Sequence, residues 1–176
     1  MTYVRDDVVD AVIARNQSLQ EVVQGRRLML WRPGTTATVI AQCSLMFGGI
    51  GLMGSVLWLW PLSVDSFKYG FFFGLLPLAA VTGGVFHGVL RGWPSARTIN
   101  FRFALVMTAL SVCAAVVSLT FWKLVSLASA SVSIAFHLAA AWLISGEGYA
   151  ITSAMFRAQR QHANRAKQMA RELTSK

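Results

Sequence analysis

The sequence predicts an all-α, polytopic membrane protein with four transmembrane helices, and three observations lead there. Residues Tyr69 to Leu90 form a run of 22 positions without Asp, Glu, Lys or Arg, fenced by Lys68 and Arg91. At 1.5 Å rise per residue such a run matches a hydrocarbon layer about 30 Å thick. The 176 residues are 55% hydrophobic and only 13% charged, where a soluble domain carries about 25% charged residues. The apolar residues come in long unbroken runs instead of helical or strand periods. Finally, most of the net charge of +9 lies outside those runs, which reads as membrane topology, not as nucleic-acid binding.

The N-terminal segment, residues 1–36, is expected to be cytosolic. It has no basic region leading into an apolar core, so no cleavable signal peptide is predicted. Residues 3–24 read as one amphipathic helix: Val4, Val8, Val12, Leu19, Val22 and Val23 recur at helical spacing among Asp6, Asp10, Arg15 and Glu21. Its stripe is narrow and β-branched, so it should gain stability by docking. Asn16-Gln17-Ser18 matches a glycosylation acceptor, but on the wrong side of the membrane for that modification under the topology below. Arg26, Arg27, Trp31 and Arg32 then interleave cations with an aromatic ring, a composition suited to lipid headgroups or a partner surface.

The transmembrane domain, 37–150, divides into spans at about 37–60, 69–90, 103–122 and 128–147. The first contains Gly49, Gly51 and Gly54 in a GxGxxG pattern. Dinucleotide binding needs that pattern between a strand and a helix, which the surrounding apolar run does not offer. Glycines in a membrane helix instead allow close backbone approach. Pro77 predicts a kink in the second span. Gly84, Gly88 and Gly92, four residues apart, predict a helix-packing face, with Gly70 and Gly74 repeating it at the other end. Its expected partners are Ser131, Ala135 and Ala139 of the fourth span, or Ser44 and Gly48 of the first. Arg91 to Arg102 reads as a polar loop. Lys123 to Leu127 must be a short turn, because two spans fit between Phe103 and Ser145.

Residues 151–176 read as a basic cytosolic C-terminal helix, and with no strong helix stop after Gly148 it can run on directly from the fourth span. Arg157 and Arg160 near its start are further candidates for lipid headgroup or partner contact. The segment 157–176 holds no aromatic residue, which argues against nucleic acid. Five arginines precede the first span, three lie between the second and third, and six Lys or Arg follow the fourth. Only Lys68 and Lys123 fall on the other side. The positive-inside rule therefore predicts both termini in the cytosol, in a bacterial inner membrane.

Candidate chemistry is sparse. His137 lies mid-span, and an ionisable residue at that depth is a candidate site. The expected role is a neutral ring sharing a hydrogen bond with a serine or carbonyl of another helix, and proton relay is the alternative. Gln42 is the other intramembrane polar candidate. Cys43 and Cys113 are expected to be buried as small hydrophobes, with a Cys113–His137 pair too small for a metal site. No zinc-peptidase, phosphate-loop or nucleophile triad pattern is present. The expectation is a non-enzymatic subunit or scaffold of a multi-component membrane assembly, such as secretion or conjugation machinery. It would need no cofactor or metal, and its partners would be membrane lipids and other membrane proteins or copies of itself. The alternative is a small oligomeric transporter or channel, using Pro77, His137 and Gln42 along a pore.

Overall fold

The computed structural model describes residues 6–25, 34–60, 63–93 and 95–174. Its elements are α1 (Asp6–Arg15), α2 (Gln17–Val23), α3 (Thr35–Leu59), α4 (Val64–Leu90), α5 (Ala96–Thr120), α6 (Leu124–Ser145) and α7 (Glu147–Thr174). Among the described residues there is no strand. Helices α3 to α6 are each long and apolar enough to cross a membrane, and the protein is an integral membrane protein on that ground.

The spans start earlier than composition predicts, and at α4 a polar side chain caps the start. Ser63 accepts a hydrogen bond from the Ser66 amide at 3.2 Å and Asp65 sits in the first turn, so α4 begins at Val64. The expected polar loop 91–102 is much shorter. Gly92 adopts φ +66°, and the Gly92 and Trp93 amides donate to the Val89 and Gly88 carbonyls, both at 2.9 Å. This left-handed cap ends α4 within two residues. Helix α5 then begins at Ala96, and both Arg97 and Arg102 are helical. The far end of α5 closes in the same way: Lys123 donates to the Ser118 carbonyl at 2.9 Å, with Trp122 at φ +54°.

Two expected continuities are broken. Asn16 takes an extended conformation, and its side chain accepts from the Leu19 amide, so residues 3–24 are not one helix. Gly146, also extended, separates α6 from α7. The C-terminal helix therefore starts at Glu147 and does not continue the fourth span.

Helices α3 and α6 make the tightest pair, with α5 packed on α6 and α4 more peripheral. Ala41, Leu45, Ala104, Ala140, Ile144 and Tyr149 form the main buried cluster. Small residues let the backbones close. Glycine 48 faces the His137 ring, and Gly51 faces Ser133 and the Ser129 carbonyl. Helix α4 meets α3 where Gly49 receives Leu78, Gly74 receives Met53 and Gly70 receives Leu57.

The predicted packing face of α4 is not one face. Gly84 has no neighbour within 4 Å of a side-chain position. Gly88 is covered by Trp93 and Ala96, and Gly92 is a turn residue against the Phe156 and Arg157 backbone. Ser131, Ala135 and Ala139 are exposed. The inward face of α6 is instead Ser126, Ala130, Ser133, His137, Ala140, Ala141 and Ile144.

Helix α7 crosses the end of the bundle where α3 and α5 begin and α4 and α6 finish. Its Gly148 lies against Gly34 and Ala37. Helices α1 and α2 cover its other side: Leu19 packs with Ala154 and Met155, and Val22 and Val23 pack with Ala158.

Candidate functional site

Polar groups inside the bundle are arranged in three tiers. Helix α6 contributes Ser126 and Ser133, and α5 contributes Ser111 and Ser118. Each pair is seven residues apart, two turns of one helix face. Opposite them α3 presents Gly48, Gly51 and Ser55, so its carbonyls are reachable.

In the first tier Ser126 donates to the Ser55 carbonyl at 2.7 Å, and its hydroxyl lies 3.0 Å from that of Ser55 and 2.7 Å from that of Ser118. In the second, Ser133 donates to the Gly48 carbonyl at 2.6 Å and Ser111 to the Met107 carbonyl at 2.7 Å. The two hydroxyls are 2.7 Å apart, and each lies 3.3 Å from His137 Nδ1. His137 is fully buried. Its Nε2 has no hydrogen-bond partner among the described residues. The arrangement matches a ring bound by serines of its own and a neighbouring helix.

The third tier joins the bundle to α7. Asn100 Nδ2 donates to the Tyr149 hydroxyl at 2.6 Å, and the buried Gln42 stands near the same hydroxyl with its Nε2 unpaired. Burial pushes the Tyr149 phenol above its ordinary value, against the opposing influence of Asn100, Gln42 and Arg97. Beside it Arg97, only 2% exposed, donates from Nε to the Ile144 carbonyl at 3.0 Å. Its Nη2 reaches the Ser145 carbonyl at 3.1 Å and that of Gly146 at 3.4 Å. These are the free carbonyls at the end of α6, where a cation is favoured.

The tiers do not join. Seven residues along a helix separate Ser126 from Ser133, about 10 Å, and the layer between contains the buried Ala114 and Ala130. Ser129 lies in this interval, but it donates to the Gly51 carbonyl at 2.8 Å. The chemistry this supports is cross-linking: hydroxyls tie α3, α5 and α6 together where van der Waals packing alone would hold them.

Gln42 and His137 are therefore in different tiers, and Pro77 is exposed on α4, so the three do not line one pore. Cys43 and Cys113 are both exposed on the bundle. Neither is buried, and the Cys113–His137 pair does not form. Among the described residues no group of three or more His, Cys, Asp or Glu is placed to hold a metal. Arg26, Arg27, Trp31 and Arg32 lie outside the described residues. Arg157 is half-buried and Arg160 is exposed, both on α7. The serine spacing was a readable signal for the first two tiers. Arg97, Asn100 and Tyr149 carry no signal in the sequence, because each acts across a helix end.

In comparisons with known proteins, the chain matches no family model, no curated protein and no solved structure.

Proposed function

We propose that the protein is a non-enzymatic integral membrane subunit or scaffold of a multi-component assembly. In this reading both termini lie in the cytosol, beneath the inner membrane of a bacterium. The observation that carries it is the second half of α7. Residues 147–158 are clamped between the bundle and α1–α2, but residues 162–173 are exposed, with His162 set against Gly25. Met169 and Leu173, one turn apart, are 57% and 79% exposed, and Arg165 and Lys167 flank them. A helix whose residues are mostly exposed gains little from packing. An apolar pair on a basic helix gives a partner protein both a hydrophobic anchor and a charge to meet. The orientation rests on charge: the end carrying α7 also holds Arg15, Arg91, Arg97 and Arg102, and the opposite end holds Lys68 and Lys123. The separated polar tiers support a packed scaffold over a pore.

Native purification with mass spectrometry tests the reading. The full chain is expected to retain a stoichiometric partner that a truncation after Gln161 loses while keeping its melting temperature. A lone homo-oligomer that conducts ions or takes up solute would replace it with the transporter reading.

A further inference from the structure

Helix α7 crosses the end of the bundle and continues past it. Its Gly148 touches Gly34 at the start of α3, and its Phe156 and Arg157 backbone touches Gly92 at the end of α4, the least buried of the four spans. Both contacts lie at the same end of the bundle, so α7 runs along the leaflet and not away from it. The exposed Trp93 and Trp142 mark this end as the interfacial level. Beyond Arg157 the helix therefore leaves the bundle at headgroup depth. Residues 163–173, all exposed, extend about 16 Å over the surrounding leaflet.

Helical periodicity decides which side of this overhang faces lipid. Eighteen residues make about five turns, so Lys167 repeats the direction of Tyr149. Tyr149 is fully buried against the bundle, with its hydroxyl on Asn100. Arg160 follows Tyr149 by eleven residues, about 20° off the same line, and Arg171 follows Arg160 by the same step. The apolar pair points elsewhere. Leu173 repeats Met155, which packs on Leu19, and Met169 lines a groove with Val23 of α2, Arg165 and Glu172. Glu172 is the only acid in 160–173, so the charges on the membrane side are all positive. An inserted amphipathic helix turns its apolar residues into lipid. This one turns cations toward the leaflet and keeps Met169 and Leu173 on the α2 side. We propose that the Arg160–Lys167–Arg171 line of α7 docks on anionic phospholipid headgroups of the adjoining leaflet, its guanidinium and ammonium groups donating to lipid phosphates. The apolar pair offered to a partner lies on the other side of the helix, so this docking is independent of the scaffold reading.

The test measures hydrogen exchange of residues 163–173 in the full chain, held in nanodiscs of phosphatidylcholine alone or doped with phosphatidylglycerol. Phosphatidylglycerol is expected to slow exchange there, by about fivefold for each cation engaged. Salt at about 1 M, where the Debye length is about 3 Å, should reverse the slowing. Lys167→Gln should lose about fivefold of it, whereas Arg165→Gln, an equal loss of charge on the α2 side, should keep it. Both residues are exposed, so the two variants should keep the wild-type melting temperature. Equal exchange in the two kinds of disc, or equal losses from the two variants, would overturn the proposal. So would protection that persists with a co-purified partner after the lipid is exchanged for neutral detergent, because the cation line would then be a protein-binding surface.

Discussion

At the scale of single residues, the glycines of α3 and α4 have opposite sensitivities. A side chain at Gly48 would stand 2.7 Å from His137 Nε2, and the ring cannot retreat because Ser111 and Ser133 hold its other nitrogen. Gly48→Ala should therefore destabilise by about 1–3 kcal/mol, the usual range for overpacking. Gly84→Ala, into open space, should leave the melting temperature in detergent unchanged. Equal melting temperatures for the two variants would mean that the ring is not seated on α3. Tyr149 makes a prediction in pH. Its folded value is raised, so the stability it contributes is complete below the unfolded phenol value, about 10. That contribution is lost as pH climbs through the folded value. Wild type should lose melting temperature more steeply above about pH 10 than Tyr149→Phe, and parallel curves would show that the phenol is not buried against Asn100 and Gln42.

At the scale of elements, α7 is held by contacts that its own composition does not announce. Leu19 is 1% exposed and packs on Ala154 and Met155. Leu19→Ala should cost about 2–5 kcal/mol of the α1–α2 docking. Limited proteolysis should then cut near Gln24 in the variant and spare the wild type. Gly92 couples the end of α4 to α7. It combines φ +66° with a side-chain position 2.7 Å from the Arg157 backbone, so even Gly92→Ala is both strained and clashing. Loss of α7 protection in hydrogen exchange is the expected outcome, and wild-type protection would mean that the α4 turn and α7 are not in contact.

Across the whole molecule, the charged ends set the expected topology. In a background lacking Cys43 and Cys113, a single cysteine at Ser66 should react with an impermeant thiol reagent added outside the cell. One at Ser95 should react only after the membrane is opened. Both serines are exposed, so access to the reagent depends on the membrane and not on burial. Outside labelling at Ser95 would reverse the orientation.

The sequence by itself determined that four apolar helices cross a membrane and that cations gather at one end, because bilayer thickness and the cost of a charge in hydrocarbon act on composition alone. It also placed His137 at mid-depth. Only the tertiary structure decided which face of each helix points inward. Lipid is as apolar as leucine, so outward positions such as Phe72, Leu110 and Val132 read like core and leave no hydrophobic period to follow. For the same reason Gly84 and Gly88 looked alike, and Ser131 looked like Ser133. The helix ends were hidden for a different reason. Arg97 reads as a loop cation until the carbonyls of Ile144 and Ser145 stand beside it, and Tyr149 has no visible role until Asn100 donates to its hydroxyl. These bonds join residues dozens of positions apart, and their geometry exists only once α3, α5, α6 and α7 have packed together.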